Sequence, residues 1–597
     1  MRLKHSVRGY ILDLLRKSFL PHTCPGGRCQ GRSQRKKSFR VFSQRSPCAL
    51  WLTYPRSLFL LVILFLLLAC GGQVPVINPV PVFVQYTPTN FLPPTSAVVS
   101  FQRQIGNSVP RLLREQVESQ NVSFTLNISP SPTSELKPNE IQIQWVYVLV
   151  APFSTIRDDV TLDELRSMWN GVAGSPLLMD ESTVAAFTAI WGEPVSGSVR
   201  SVSAESLLDT AWTESAWAII PFELLSPRWK VLTVDGQSPI RKGFEVATYP
   251  LVVPFTFQTS GTPVSVPTSN YDSSKLTTVM ITGTTALVRA TAFKMEQKGI
   301  TYPGEEVRDL MREADIAHIS NEVSFFTDCP PPDPNSARLI FCSDPKYIGL
   351  LTDIGVDVVE LTGNHFADYG RFAMDETLSI YRSNNIAYFG GGSNLQDSFM
   401  PALFEINGNK FAFLGCNLPD MSKAEIATAD HPGSAPCDLD YFTSKVAELK
   451  SQGYLVIFTF QWGEDYVPQP DRSQVEGFRR MVDAGATIVS GSQAHFPKTM
   501  EFYNDAFIHY GLGNLFFDQM GNLNWMPEGI RREFLDRYVI YAGKLISVEL
   551  ITTMLEDFAR PRIMTIEERS AFLQEYFSKS GWMPLVDEFA PFGTSVP

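Results

Sequence analysis

Histidine, cysteine and positive charge are scarce in this sequence. Seven histidines stand among 597 residues, at 5, 22, 318, 365, 431, 495 and 509, and the first two fall in a leader-like segment. Eight cysteines are present, and those of the chain body lack the short CxxC spacing of zinc ligands, which argues against a Cys-based metal site. The apolar run Leu58–Ala69 is twelve residues long, short of the roughly twenty that a membrane-spanning helix needs. Lys and Arg number 50 against 62 Asp and Glu. Residues 1–69 carry 13 of those basic residues and one Asp, so the rest of the chain sets 37 against 61, a net charge of −24. An acidic body of that size argues against nucleic acid or anionic lipid held on a basic face. What the sequence does have is 44% hydrophobic and only 19% charged residues, which excludes a disordered, collagenous or coiled-coil chain. Its length suggests two to four globular domains.

The short apolar run reads as the h-region of a signal peptide. Leu67-Leu68-Ala69-Cys70 resembles the bacterial lipoprotein signal, which implies lipidation of Cys70 and a membrane anchor on the extracytoplasmic face. Cys329 with Cys342 and Cys416 with Cys437 form two sequence-local pairs, as an oxidising compartment permits, and are expected to be disulfides. Loops of that size would each contribute roughly 3 kcal/mol in the chain-entropy model.

The organisation expected along the chain is a leader and signal peptide at 1–69, and a tether with N-terminal strands at 70–140. An α/β domain follows at 141–258, a Ser/Thr/Gly/Pro-rich linker at 259–275, a larger α/β domain at 276–555 and a helical tail at 556–597. Strands and helices alternate from Ile141 onward, which implies parallel or mixed sheets. Within 141–258, the pieces Leu162 to Gly171, Ile219-Ile220-Pro221 and Tyr249-Pro250-Leu251 resemble solute-binding proteins of the phosphate or molybdate type, implying a fold and no ligand.

In open α/β sheets, ligands bind beyond the carboxyl ends of strands. Six apolar runs end there in polar clusters: Thr282 to Thr285; Ser320-Asn321-Glu322; Thr362-Gly363-Asn364-His365 with Asp368-Tyr369-Gly370; Gln461-Trp462-Gly463-Glu464; Ser490 to His495; and Gly511-Leu512-Gly513-Asn514. A purely structural protein rarely places six such clusters, so they predict a pocket. Its expected lining is Thr284, Asn364, Asp368, Gln461, Trp462, Glu464, Gln493 and Asn514, with Glu322, His365 and His495 as the reactive groups. Trp462 reads equally as a stacking surface for a sugar ring and as a core aromatic. His318 and His509 lie inside apolar runs and belong to the core. Gly390-Gly391-Gly392 lacks the Lys of a P-loop and reads as a tight turn.

In this order the clusters resemble the capsule synthesis family of the CapA type, associated with capsule or poly-γ-glutamate production, over about Leu276 to Asp518. The resemblance implies a calcineurin-like metallophosphoesterase sandwich with a metal centre at the strand ends. Position by position, the match is incomplete. Glu322 and Asn364-His365 agree with the family pattern. Thr284 stands where the family has the bridging Asp, Gln461 replaces the His of its His-Trp-Gly, and Ser492-Gln493 replace a ligating His, leaving His495.

Amide oxygens are neutral hard ligands, tolerable to Ca²⁺ or Mg²⁺ and poor for Zn²⁺, Mn²⁺ or Fe. The expectation is therefore no certain cofactor and at most one weakly held divalent ion, on Glu322, Asn364 and His495. The leading reading is an exported lipoprotein acting on or holding a capsule or poly-γ-glutamate surface polymer, or its assembly machinery, with a degenerate metal site. Two others stand beside it: a metal-assisted hydrolase of phosphate esters or of glycan or peptide bonds, and a non-catalytic polymer-binding scaffold. A metal-free variant would use His365 or His495 as a general acid/base oriented by a carboxylate.

Overall fold

The computed structural model describes residues 109–118, 124–128, 140–172, 175–259, 266–418, 425–520 and 529–585. The expected signal segment, Cys70 and most of the expected tether lie outside them. Among the described residues no helix is long and apolar enough to cross a membrane.

The first α/β layer is built from β1 (Phe124–Ile128), β2 (Glu140–Pro152), β3 (Leu177–Met179), β4 (Val199–Ser201), β5 (Ala218–Pro221), β6 (Trp229–Val231) and β7 (Val252–Thr259). They lie in the order β1-β7-β2-β5-β3-β4, with β6 also paired to β2. Helices α1 (Arg111–Glu118), α2 (Leu162–Trp169), α3 (Glu181–Trp191) and α4 (Ala204–Glu214) belong to the same region. Local chemistry sets their starts. Thr161 and Glu164 close a reciprocal capping box on α2, and Asp180 accepts from Thr183 N to cap α3.

Beyond the linker the chain forms a two-sheet sandwich. Five strands come first: β8 (Leu276–Ile281), β9 (Thr284–Thr285), β10 (Ile316–Asn321), β11 (Val358–Glu360) and β12 (Ala387–Phe389). The second sheet takes β13 (Ala402–Ile406), β14 (Asn409–Asn417), β15 (Leu455–Gln461), β16 (Ala486–Ser492), β17 (Met500–Tyr503) and β18 (Ala506–His509). The chain then returns to the first sheet with β19 (Asn514–Phe516), β20 (Arg532–Tyr541), β21 (Lys544–Glu556) and β22 (Arg560–Ile563). The first sheet runs β12-β11-β10-β8-β20-β21-β22, with β9 bridging β10 and β19; the second runs β13-β14-β15-β16-β18-β17. The pairs β8/β10, β10/β11 and β11/β12 are parallel, as are β14/β15, β15/β16 and β16/β18, so these strands bring their carboxyl ends to one edge.

The layers follow from which faces are apolar. Val279, Ile281, Ile316 and Val358 of one sheet meet Phe411, Phe413, Ile457 and Phe507 of the other, all fully or nearly fully buried. Each such side chain contributes about 1.5–3 kcal/mol of burial. On the outer faces, α5 (Arg289–Lys298) and α6 (Gly370–Ser383) cover the first sheet, and α7 (Leu439–Ser451) and α8 (Arg472–Ala484) the second. In α8 the buried Phe478, Met481 and Val482 recur at helical spacing, Asp471 caps the start, and Gly485 ends it in the left-handed region.

His509 and His318 are fully buried, as their place in apolar runs predicts. His509 also links the two sheets: its Nδ1–H donates to Asp536 Oδ2 of β20 at 2.6 Å, and its other nitrogen meets Lys498 O at 3.2 Å. Gly391 and Gly392 pair with Ser434 and Gly433. Both expected disulfides are present, Cys329–Cys342 and Cys416–Cys437.

Candidate functional site

Alternation along the strands decides which side chains face the edge between the sheets. Thr284 pairs with Ser320 on one side and Asn514 on the other, and Ser320 pairs with Glu360. Residues opposite one another in a ladder share a face, and so does Glu322, two residues after Ser320. Thr284, Glu322, Glu360 and Asn514 therefore face the second sheet, which presents Gln461, Ser492 and Gln493 from the ends of β15 and β16. Two glycines let the strand ends close in. A Cβ on Gly283 would lie 2.1 Å from Gly513 O, and one on Gly363 would lie 2.5 Å from Glu322 Cα.

The floor of the resulting bowl is Glu322, 1% exposed, with neither carboxylate oxygen hydrogen-bonded. His495 Nε2 stands 3.6 Å from Glu322 Oε1, an ion-pair separation too long for a hydrogen bond. The His495 ring is oriented by its Nδ1–H, which donates to Asn514 Oδ1 at 2.8 Å. Burial alone would raise the Glu322 carboxyl, but His495, His365 and Arg289 hold it below the usual carboxylate range. Burial opposes charge on His495, and Glu322, with Glu464 behind it, lifts the imidazole to about 9.

On the far wall, His365 Nδ1–H donates to Asp368 Oδ2 at 2.6 Å, and Phe341 N donates to the same oxygen at 2.7 Å. Gln461 Nε2 donates to Gln493 Oε1 and stands 3.3 Å from Asn364 Oδ1, so three amides satisfy one another across the gap between the sheets. Tyr466 donates to Glu464, and Asn514 Nδ2 donates to Gln519 Oε1 at 3.0 Å.

The residues singled out in the sequence thus fall into three groups. Thr284, Glu322, Asn364, Gln461, Gln493, His495 and Asn514 converge. His365 joins them with Asp368 behind it, and Glu464 acts on His495 from the 462–470 loop. Trp462 packs on Phe460 and Phe478 with Gly477 under its ring, so its indole is committed to α8.

Several residues of the site carry little sequence signal. Glu360, 1% exposed, ends an apolar strand and accepts from Ser492 Oγ at 3.0 Å and from Thr362 Oγ1, bracing the floor from behind. A lone carboxylate in the apolar run Val358–Leu361 was the available clue. Arg289 pairs with Asp518 and lies over the rings of Phe341 and Phe517, which back onto His365 and His495. Arg289, Gln493 and His495 all have φ between 44° and 75°. Such backbone costs about 1–3 kcal/mol per residue and clusters at functional sites, where the surroundings hold it.

The donors in reach of the floor are one carboxylate, one imidazole and amides. Among the described residues no group of three or more His, Cys, Asp or Glu is placed to hold a metal ion.

Residues 278–519 match the family model described as bacterial capsule synthesis protein PGA_cap. A PGA biosynthesis protein CapA of Bacillus subtilis is 30% identical over 228 residues, covering 38% of this chain and 59% of that protein. A capsule biosynthesis protein CapA of Bacillus anthracis is 30% identical over 178 residues, covering 29% of this chain and 43% of its own length. The chain thus spans about half the length of the curated relatives it matches. Among solved structures, a putative 5'-nucleotidase of Staphylococcus aureus aligns at 13% identity and a TM-score of 0.31, over 51% of this chain and 58% of that one. The fold class is the expected one in its architecture, an α/β sandwich of two sheets preceded by a smaller α/β layer. Over residues 278–519, this chain is similar to the bacterial capsule synthesis protein family.

Proposed function

We propose that the chain acts in the synthesis or attachment of a capsule or poly-γ-glutamate surface polymer, as an exported protein anchored through lipidated Cys70, and that its metal centre is degenerate. The observation that carries the last part is the floor of the bowl. Glu322 is offset there by the His495 imidazole, and amides occupy the positions where charge or soft nitrogen would grip a transition-metal ion. Such a donor set does not fit a two-ion phosphoesterase centre, and no step of the chemistry is routed through one. Glu322, Asn364 and His495 are the groups that a single hard cation would meet. The division proposed for the chain is the one expected above, with the polymer-directed site in 276–555 and a solute-binding-like module before it.

A second reading, hydrolysis by acid–base chemistry, is favoured by one observation. His365 is oriented by Asp368, which is itself fixed by Phe341 N, so the ring is aimed with its carboxylate partner in place, as a general acid/base requires. Proton transfer at His365 Nε2 would then act on a bond of the polymer held across the bowl.

Pull-down and turnover assays on poly-γ-glutamate and on capsule polymer, with Glu322→Gln and His365→Gln beside the wild type, test both readings. Polymer binding lost in Glu322→Gln supports the first. Cleavage lost in His365→Gln with binding retained supports the second, and neither variant altering either assay sinks both. Radioactive fatty-acid labelling at Cys70 tests the anchor.

A further inference from the structure

The N-terminal α/β domain has a strand-end edge of its own, whose chemistry differs from that of the bowl. β3 ends at Met179 and delivers Asp180; β5 ends at Pro221 and delivers Glu223. These strands are parallel neighbours, paired at Leu178 and Ala218, so the two carboxylates emerge at one edge. That edge is where open α/β sheets take ligands. β2 runs antiparallel to β5 with Tyr147 opposite Pro221, which brings a phenol to the same place.

Tyr147 is fully buried and its hydroxyl has no hydrogen-bond partner. Burial, then the charges of Asp180 and Glu223, oppose its ionisation. Thr183 Oγ1, in the first turn of α3, is also buried without a partner. Asp180 Oδ1 is used in capping α3, accepting from Thr183 N and Ser182 Oγ at 2.7 Å each. Glu223 Oε2 accepts from Asn270 Nδ2 at 2.6 Å. Asn270 comes from the segment that leads into β8, and it also bonds Val146 N and O. Phe187 meets the Tyr147 ring edge-on at 5.2 Å and Trp191 at 4.7 Å.

We propose that Asp180, Glu223, Tyr147 and Asn270 form a binding site for the protonated amine of a small ligand. Two carboxylates at one strand edge repel a phosphate or carboxylate ligand. An ammonium group offers three donors, which two carboxylates and a phenol oxygen can accept, and aromatic rings nearby attract the cation. The site lies at the junction of the N-terminal domain and the sandwich, a common location for ligands. Phe222, beside Glu223, packs on Tyr541 of β20 at 4.9 Å, and Tyr541 Oη accepts from Asp272 N at 2.9 Å. Occupancy would therefore be felt by a strand of the sandwich. The inference is independent of the reading of the bowl.

Titration of the full chain with methylammonium chloride, followed by calorimetry and by tryptophan fluorescence at fixed ionic strength, tests it, with sodium chloride and sodium phosphate as controls. The expected result is saturable methylammonium binding, weakened about tenfold or more in Glu223→Gln, the loss that goes with removing one charged hydrogen-bond partner. Tyr147→Phe, which keeps the ring, serves if Glu223→Gln fails to fold, and should weaken binding about severalfold. Absence of saturable binding by the wild type, saturation by phosphate instead, or equal affinity in the folded variants overturns the site and leaves its orphaned hydroxyls to a buried water.

Discussion

Asp368 Oδ2 receives two donors at once, His365 Nδ1–H at 2.6 Å and Phe341 N at 2.7 Å. One carboxylate oxygen thereby sets the orientation of the imidazole and ties down the end of the loop closed by Cys329–Cys342. Asp368→Ala should lower unfolding free energy by about 1.5–3 kcal/mol, the usual cost of losing a charged hydrogen-bond partner, read from urea denaturation. A change within experimental error would mean that solvent replaces the carboxylate without cost.

Gly363 is a steric gate for Glu322. A methyl group there would lie 2.5 Å from Glu322 Cα and from its carbonyl oxygen, both backbone atoms that cannot swing aside. Gly363→Ala is expected to cost about 1–3 kcal/mol and to reduce polymer binding together with Glu322→Gln. Wild-type stability in the variant would show that the strand ends are looser than the sandwich suggests.

The Cys416–Cys437 bridge spans 21 residues and borders the end of β14, where Asn417 Nδ2 donates to Thr362 O. Replacing both cysteines by serine should cost about 3 kcal/mol and lower the thermal midpoint under oxidising conditions, while leaving the midpoint under a reductant close to that of the reduced wild type.

Glu223 makes stability depend on pH. Burial is the main cause of its raised value, about 7 against 4.5, and Asn270 offsets only part of it. A carboxyl raised in the folded state favours the protonated native form. Its contribution is whole below pH 4.5 and is lost as pH rises through 7, amounting to at most about 3 kcal/mol. Denaturation at pH 5 and pH 8 should show a smaller difference in Glu223→Gln than in the wild type; equal differences would mean that Glu223 is solvated.

Metal removal should do little. A bound ion that favours the native state raises the unfolding midpoint by mass action, so extraction of two transition-metal ions would be visible in a melting curve. The expected outcome is an unchanged midpoint after chelator treatment and dialysis, with elemental analysis finding fewer than two such ions per chain.

Much of the sandwich was legible from local pattern. The apolar runs at 277–282, 316–320, 454–460 and 487–490 are strands within a residue or two, and Arg472–Ala484 is a helix with the bounds its caps imply. No element was read from the sequence between Arg531 and Ile563, where β20, β21 and β22 complete the first sheet. The clue was Ala542-Gly543 between alternating apolar runs; both residues have positive φ and form the tight hairpin that joins β20 to β21. The pocket residues were found because strand ends punctuate apolar runs with polar groups. Glu360 and Arg289 were missed because their roles come from partners more than a hundred residues away in one case and over two hundred in the other.

Residue order alone determined which chemical groups are available here: the carboxylates Glu322, Asp368 and Glu464 and two histidines among amides, after runs that can only be buried strands. Tertiary structure alone decided how the distant ones pair. His365 meets Asp368 three residues on, but His495 goes to Glu322 and Asn514, and His509 to Asp536, because ladder register and the closure of two sheets set distances that no spacing along the chain encodes.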